Sequence, residues 1–279
     1  MNALHDLLSH PSGRIGGLIL IVYLLLALAG IVALVPYDPV AQFPAARLQA
    51  PDAAHIMGTD LFGRDVFSRL AVGVRTSFVI AVASVAIAGL IGTVIGLLAA
   101  WWGSWRDSLL MRLMDVFLAF PAILLALLVV TVAGPGTLTT ILAIAVVYTP
   151  IFARVARGPA LSIKARDFVD AARTFGSSQF YILTRHLLLN LAAPLTVQAT
   201  LALSWALLTE AALSFLGLGT QPPAPSLGLM LSESRNLMEF APWLLAFPGL
   251  AIMLGVMGFN LLGDALRDVV DPRTRSARA

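Results

Sequence analysis

The sequence predicts an all-α membrane protein with six transmembrane helices. Hydrophobic residues make up 59% of the chain and charged residues only 12%, about half of the charged share of a soluble domain. The charges are also grouped, which leaves several uncharged stretches of the roughly 20 residues that a helix needs to cross the hydrocarbon core of a bilayer. A soluble protein with an unusually apolar core would not repeat stretches of that length.

The first predicted transmembrane helix covers residues 15–35, an uncharged stretch that Pro36 closes. Its Ala27-Leu28-Ala29 triplet also resembles the cleavage site of a signal peptide. The apolar stretch continues past that triplet, and a signal peptide has an apolar region of only about 7–15 residues. We therefore expect this segment to stay in the chain as a membrane helix.

The second helix is expected within the uncharged stretch 76–105, after a polar and turn-rich loop over residues 36–75. Gly89, Gly92 and Gly96 recur at helical spacing in this stretch. Small residues let membrane helices approach each other closely. Glycine is also common in membrane helices without such a role, so close packing and simple tolerance are both open.

The remaining uncharged stretches predict four more helices. Residues 116–153 carry no charge but are too many for one span, and the turn-forming triplet 134–136, Gly-Pro-Gly, divides them. The predicted helices cover residues 109–133, 137–156, 191–213 and 240–263. A polar segment over residues 157–190 connects the fourth and fifth helices.

The basic residues predict that both termini are cytoplasmic, because loops on the cytoplasmic side of a membrane carry an excess of lysine and arginine. With the N-terminus inside, thirteen of the eighteen basic residues fall on the inner side and five on the outer side. The outer five are Arg47, Arg64, Arg69, Arg75 and Arg235.

The inner segment between the fourth and fifth helices carries the most specific pattern. Its central residues are Asp170, Ala171, Ala172, Arg173, Gly176 and Ser177. A short amphipathic helix would present the two alanines, a glycine would end it, and a serine would cap the next helix. Small side chains let a helix lie closely against another protein, although the local chemistry fits an ordinary hairpin equally well.

This segment resembles the EAA loop of ABC importer permeases, whose pattern is Glu-Ala-Ala, three residues, Gly, nine residues and then Ile-x-Leu-Pro. The triplet 170–172 and Gly176 match that pattern, with Asp in place of Glu. The second half departs from it, since His186 occupies the Ile position and Leu189 stands where proline is usual.

The chain from about residue 36 to 272 is also similar to the C-type subunits of the dipeptide, oligopeptide and nickel branch of that family. The similar residues are Gly58, Asp60, Arg64, Asp65, Arg69 and Arg75 of an extracytoplasmic motif, with stretches 111–115, 214–219 and 259–268. The resemblance implies a type-1 ABC importer permease bundle with a cytoplasmic EAA coupling loop. Residues 1–72 would form the first helix and an extracytoplasmic segment, 73–268 a five-helix permease core, and 269–279 a cytoplasmic tail.

The resemblance also implies a function and partners. Such a chain is expected in the bacterial inner membrane, in contact with lipid and paired with a homologous B-type permease. It would dock two cytoplasmic ATPase subunits with that partner and receive solute from an extracytoplasmic binding protein. ATP and Mg²⁺ are expected on the ATPases, because this chain lacks the Gly-x-x-x-x-Gly-Lys-Ser/Thr phosphate loop. No enzyme activity, bound cofactor, metal or nucleic acid is expected of the chain itself.

Three charged features have more than one interpretation. Glu210 follows a long uncharged stretch near the outer end of the fifth helix, where an acid costs roughly 2.5–3.5 kcal/mol on insertion scales. It is expected to line the transport pathway or to pair with Arg75 or Arg235. Asp115 is expected to form a local ion pair with Arg112. The extracytoplasmic motif is expected to contact the binding protein or to brace the two permeases.

The cargo is the least constrained property. Short peptides are favoured over nickel, because borderline metals prefer imidazole or thiolate ligands and the predicted helices contain neither histidine nor cysteine. Import of nickel or of another small solute, such as glutathione, by the same mechanism is the alternative. A secondary transporter would usually show a midplane ionisable residue or broken helices in matching halves, and Glu210 is the one candidate for such a residue.

Overall fold

The computed structural model describes residues 10–30 and 34–270, which are helical apart from loops, one 3-10 turn and an isolated β-bridge. The helices of this part are α1 (Pro11–Ala29), α2 (Val66–Trp102), α3 (Ser104–Leu118), α4 (Ala122–Ala133), α5 (Thr137–Lys164), α6 (Asp167–Thr174), α7 (Gln179–Phe215), α8 (Leu227–Ser234) and α9 (Trp243–Val270). Five of them are long and apolar enough to cross a membrane, and α3 with α4 supplies a sixth span if the bent pair counts as one. The predicted all-helical membrane fold is confirmed.

The third predicted helix, over residues 109–133, is wrong as a single straight span. The structure has α3 and α4 there, bent by 90° at the residues between them. Proline lacks an N–H to donate and disfavours helical geometry in the residue before it, and Pro121 stands at the start of α4. With its 12 residues, α4 is only about 18 Å long, which is shorter than the hydrocarbon core.

The second helix begins well before the predicted residue 76. The loop that was expected over residues 36–75 ends at Asp65, and residues 66–75 belong to α2. Asp65 accepts a hydrogen bond from the backbone N–H of Ser68 at 2.8 Å, which satisfies one of the free donors at a helix start. The 37 residues of α2 give it a length of about 55 Å, so it extends beyond the hydrocarbon core.

The polar segment predicted over residues 157–190 is mostly helical. It contains the end of α5, all of α6 and the beginning of α7. Within α7, Ile182–Leu188 are wound as a π-helix, a wider turn that is often found at functional positions. The absence of charge marks only the part of a helix inside the membrane, and these helices continue past it.

The first helix lies where it was expected but ends at Ala29. Residues 34 and 35 are not helical, and residues 31–33 lie outside the described part of the chain. At the other terminus α9 continues to Val270, so the predicted tail over 269–279 falls almost entirely outside the described residues.

Helices α2 and α5 form the most extensive helix pair, and glycines bring them together. A Cβ added at Gly92 would lie 2.6 Å from Cβ of Phe152, and one at Gly96 would lie 2.8 Å from Cβ of Ala156. Gly89 leaves an ordinary distance of 3.6 Å to the Phe152 ring. Close packing through small residues is therefore confirmed for Gly92 and Gly96, whereas Gly89 has no such requirement.

The two ends of the bundle have different structures. At one end, which we name the loop end, residues 34–65 and α8 lie beside the start of α2. At the other, the α6 end, a small core encloses Val169 of α6 together with side chains of α2, α5 and α7. A larger apolar core fills the bundle between the two ends.

Candidate functional site

Helix α6 is the predicted coupling segment, and a tight left-handed turn ends it. Gly176 has a φ of +77°, a conformation that glycine adopts without steric cost. Its N–H donates to the carbonyl of Arg173, and the N–H of Ser177 donates to the carbonyl of Ala172, both across 3.0 Å. This pair of hydrogen bonds is a Schellman motif. The predicted end of the helix at a glycine is therefore confirmed.

Helix α6 stands out from the bundle. Val169 is its one buried residue. Two neighbouring aromatic side chains are strongly exposed, Phe175 by 88% and Phe180 by 76%. The predicted coupling residues Asp170, Ala171, Ala172, Arg173, Gly176 and Ser177 are all exposed or half-buried. Exposed apolar groups around a protruding helix indicate a surface for another protein.

Two ion pairs join α3 to α5 at the α6 end. Arg157 donates two hydrogen bonds of 2.5 Å to the carboxylate of Asp107, and Arg154 donates one of 2.5 Å to Asp115. The expected local pair of Asp115 with Arg112 is therefore wrong. The bend after α3 leaves that helix alongside α5, so the facing Arg154 is the partner. Both side chains of the Arg154–Asp115 pair are more than half exposed, and such exposed pairs contribute little stability.

The loop end is built on two left-handed turns, at Gly58 and Gly63 of the predicted extracytoplasmic motif. Their φ angles are +74° and +76°. A Cβ at Gly58 would lie 2.6 Å from the backbone oxygen of Gln49, and one at Gly63 would overlap the backbone of Phe43. Conformation and space therefore both require glycine at these two positions.

Two arginines of the motif bind Glu233 of α8, and Asp60 pairs with the same two arginines. Arg64 donates from Nε to Asp60 at 2.5 Å and from Nη2 to Glu233 at 2.9 Å. Arg69, whose side chain is 1% exposed, donates to the same oxygen of Glu233 at 2.9 Å. We name Asp60, Arg64, Arg69 and Glu233 the Arg–Glu cluster. It joins the loop over residues 34–65, the start of α2 and α8 within one chain.

The other two charged residues of the motif lie outside the Arg–Glu cluster. Asp65 caps α2 and also contacts the imidazole of His55, with 2.9 Å between Oδ1 and Nδ1. Arg75 is exposed on α2. The motif therefore organises the loop end, and Arg75 is its exposed charged member.

Glu210 is completely buried at the junction of α2, α7 and α8. Ser214 donates a hydrogen bond of 2.7 Å to its Oε1, and the hydroxyl groups of Ser77 and Ser226 also face the carboxylate. Those two hydroxyls accept backbone N–H groups from the first turn of α8 at 3.3 Å each. Glu210 therefore anchors the start of α8 through the serines.

The ion pair expected between Glu210 and Arg75 or Arg235 is not formed. Both arginines are exposed, and no ion pair within residues 10–30 and 34–270 includes Glu210. The physical reason is α8, a helix that was not predicted. Its start packs over the carboxylate, and the hydroxyl groups around Glu210 come from α2, α7 and the cap residue of α8. Its eight residues are too few for a membrane-helix signal.

Two shallow grooves run along the membrane-spanning helices. One of about 580 Å³ lies among α2, α5 and α7, and its lining includes Thr93 and Thr196. The other, of about 540 Å³, lies between α7 and α9 and includes Asn260. Aliphatic side chains form most of both linings. Volumes of this size can hold a small solute or the side chains of a neighbouring helix.

Comparison with known proteins identifies the family of this chain. Residues 92–276 match the family described as "Binding-protein-dependent transport system inner membrane component". The chain is 46% identical over 233 residues to the dipeptide transport system permease protein DppC of Alkalihalophilus pseudofirmus, covering 84% of this chain and 77% of that protein. It is 43% identical over 244 residues to the glutathione transport system permease protein GsiD of Pectobacterium atrosepticum, covering 87% and 81%. It is also 42% identical over 255 residues to the probable D,D-dipeptide transport system permease protein DdpC of Escherichia coli, covering 91% and 86%.

Among solved structures, the chain is similar to the inward-facing MetNI methionine ABC transporter, with a TM-score of 0.50 over 70% of this chain and 95% of that chain. The sequence identity is 19%, so this similarity concerns the fold and confirms the type-1 importer arrangement. The relatives are transport components rather than enzymes. This chain belongs to the binding-protein-dependent transport system inner membrane component family, the permeases of ABC importers.

Proposed function

We propose that this chain is one of two permease subunits of an ATP-driven importer and that it moves short peptides across the inner membrane by alternating access. The observation that carries the proposal is α6, a protruding helix with small and aromatic exposed side chains and a glycine turn at its end. Two of the relatives are named for dipeptide or D,D-dipeptide transport. Glutathione, named for the third, is itself a tripeptide.

Helix α6 is the surface proposed to dock a cytoplasmic ATPase subunit. Ala171 is exposed and Ala172 is half-buried against the small core, so the exposed face around Ala171 has no long side chain to keep the helix out of a cleft of another protein. Phe175 and Phe180 supply exposed apolar area beside that face, and aromatic residues are typical anchors of protein interfaces. Each permease of the pair would dock one ATPase, and the ATPases would hold the ATP and Mg²⁺.

The α6 end is proposed to face the cytoplasm and the loop end the outside. This orientation places thirteen of the eighteen basic residues on the cytoplasmic side, as the general charge bias of membrane proteins requires. With six spans, both termini would lie on the same side as α6. The loop end, held rigid by the Arg–Glu cluster, would then receive the solute-binding protein.

The orientation can be tested directly, because the chain has no cysteine. Ser162 near the α6 end and Ala224 at the loop end are exposed, whereas the nearby Ser226 is buried and unsuitable. In spheroplasts, S162C is expected to react only with membrane-permeant maleimides and A224C with impermeant ones as well. The reverse labelling pattern would overturn this orientation.

The second permease is proposed to be a homologous but different chain of the B type. The similarity to C-type subunits supports a heterodimer. The two grooves leave sides of this bundle that another bundle can cover, and their few hydroxyl and amide groups would offer a peptide only weak interactions. A path that binds its solute weakly lets the solute leave on the other side.

Alternating access requires a pair of bundles with two arrangements that different ligands favour. ATP would favour the arrangement in which the docked ATPases approach each other and draw the two α6 helices with them. The loaded binding protein would favour the arrangement that is open at the loop end. Rotation of packed helices as rigid bodies is a known route between such states.

Reconstitution tests the cargo. The chain is combined with its partner permease, the ATPases and the binding protein in proteoliposomes. ATP-dependent uptake of radiolabelled dialanine is expected, with inhibition by excess unlabelled tripeptide and no uptake when this chain is omitted. Uptake of glutathione alone would favour the glutathione alternative, and uptake of nickel without any peptide would overturn the peptide proposal. Uptake that an ion gradient drives without ATP would identify a secondary transporter.

A further inference from the structure

Helix α6 is attached to the rest of the chain by few side chains, and one attachment is Trp101 near the end of α2. At the start of α6, Val169 enters the small core. Near its end, the guanidinium of Arg173 lies over the ring of Trp101, 4.8 Å from the ring centroid. Asp170 accepts a hydrogen bond from Arg173 at 3.3 Å, which holds the guanidinium on the side of the helix that faces Trp101.

Trp101 also contacts the chain beyond the Gly176 turn. Its indole N–H donates to Oε1 of Gln179, the first residue of α7, across 3.1 Å. One half-buried aromatic side chain therefore bridges the end of α6 and the start of α7. A cation over a ring face and an indole hydrogen bond both depend on orientation, so this bridge specifies where α6 lies relative to α2.

Lys164 fixes the backbone that carries the bridge. Its Nζ donates to the carbonyls of Ala100 and Trp101 at 2.9 and 2.6 Å. These carbonyls belong to the last turn of α2 and lack partners within the helix. Lys164 is the last residue of α5, so the ends of α2 and α5 are joined at the point where Trp101 meets α6.

We infer that Trp101 is the positioning residue that makes α6 and α2 move together, so that α2 carries a displacement of α6 across the membrane. Helix α2 contains no proline and no break along its 37 residues, and kinks in helices have such identifiable causes. At its loop end, Arg69 binds Glu233 of α8. A displacement at Trp101 therefore reaches α8, roughly 50 Å away along α2. The inference rests on the proposed docking of an ATPase at α6.

The adjacent Trp102 offers a matched control. It is the next residue of the same helix and the same residue type. Its ring faces Arg106 of α3, 5.6 Å from the guanidinium carbon, instead of facing α6. The same substitution at the two positions therefore separates loss of the bridge from loss of an aromatic side chain at this end of α2.

The test uses the complete transporter with its binding protein and dialanine, and compares W101L, W101F and W102L. Two quantities are measured: ATP hydrolysis stimulated by the loaded binding protein, and peptide imported per ATP hydrolysed. W101L is expected to assemble and hydrolyse ATP while importing about tenfold less peptide per ATP. W101F keeps a ring under Arg173 but lacks the N–H for Gln179, so a loss of about threefold is expected. W102L is expected to match the unsubstituted transporter.

Equal import per ATP in W101L and W102L would overturn the inference and leave the proposed function standing. If W101L fails to assemble, the comparison of W101F with W102L decides, and an unchanged ratio in W101F overturns the inference. An unsubstituted chain that binds no ATPase would overturn the proposed function itself, and the inference with it.

Discussion

Arg69 of α2 and Glu233 of α8 are joined by a hydrogen bond of 2.9 Å although 164 residues separate them in the chain. Arg69 is almost completely enclosed, and the same oxygen of Glu233 accepts a second hydrogen bond from Arg64. Removing one member of an enclosed ion pair leaves the other charge uncompensated, which costs more than the pair itself contributes. The loop end therefore depends on Glu233, which shares with Asp60 the neutralisation of two enclosed arginines.

We predict that E233Q lowers the free energy of unfolding by about 2–3 kcal/mol. This is below the 3–5 kcal/mol typical of a fully buried pair, because the side chain of Glu233 is 27% exposed. Glu239, exposed in the same connection, provides the control, and E239Q is expected to change the stability by less than about 0.5 kcal/mol. Thermal unfolding of the purified complex in detergent compares the two. Equal unfolding temperatures would contradict the structural role of the Arg–Glu cluster.

The glycines of α2 predict a contrast within one helix. G92A would place a Cβ 2.6 Å from Cβ of Phe152 and force α2 and α5 apart, at a cost of about 1–3 kcal/mol. In G89A the new Cβ would lie an ordinary 3.6 Å from the ring of Phe152, so this variant is expected to be neutral. The yield and thermal stability of the two variants are the measurement. Similar behaviour of G89A and G92A would mean that the helices do not require close approach.

The membrane helices could be predicted because their signal is local. A stretch without charge is visible in the sequence, and each predicted span coincides with a described helix or with the bent pair α3–α4. The bend at Pro121 could not be predicted in the same way. Pro150 and Pro194 lie inside continuous helices, so proline alone does not show which helix breaks. Whether a helix breaks at a proline depends on neighbouring groups that can hydrogen-bond to the backbone groups that the proline leaves free.

The candidate sites also divide into those with a local sequence pattern and those whose contacts only the fold brings together. Gly176 could be predicted as the end of α6, because a glycine after a short amphipathic segment is a local pattern. The partners of Glu210 were predicted as arginines, because opposite charge was the criterion available, and they are serines, one on the next turn of the same helix and two from other parts of the chain. Glu233 and Trp101 were missed for a related reason. An acid in a loop and a tryptophan at a membrane interface are both common, and only the fold shows their contacts.

Glu210 predicts a difference between removing its charge and removing its hydrogen bonds. In E210Q the amide oxygen can still accept from Ser214, so a change of less than about 1 kcal/mol is expected. E210A leaves the surrounding hydroxyl groups without an acceptor and opens a cavity, which is expected to cost about 3 kcal/mol or more. Thermal stability and the yield of the complex distinguish the variants. An equally large loss in E210Q would show that the charge, and not the hydrogen bond, anchors α8.

The turn at Gly176 predicts an effect of backbone conformation alone. No atom lies within 4 Å of the Cβ that a substitution would add, so size is no obstacle. The positive φ nevertheless costs a residue with a Cβ about 1–2 kcal/mol, and a β-branched residue adopts it least readily. We expect G176V to reach the membrane in normal amounts but to lose most peptide uptake, because the end of α6 is no longer held. G176N should retain uptake, since asparagine tolerates this conformation.

Gly158 supplies the matched control for that experiment. It also has open space around its Cβ position, but it lies in α5 with ordinary helical geometry. G158V therefore adds the same side chain without the conformational penalty, and valine is a few tenths of a kcal/mol more favourable than glycine inside a helix. ATP-dependent uptake and the amount of chain in the membrane are measured for G176V, G176N and G158V together. Uptake in G176V as high as in G158V would show that the turn has no part in coupling, because valine at position 176 must adopt a positive φ and valine at position 158 keeps helical geometry.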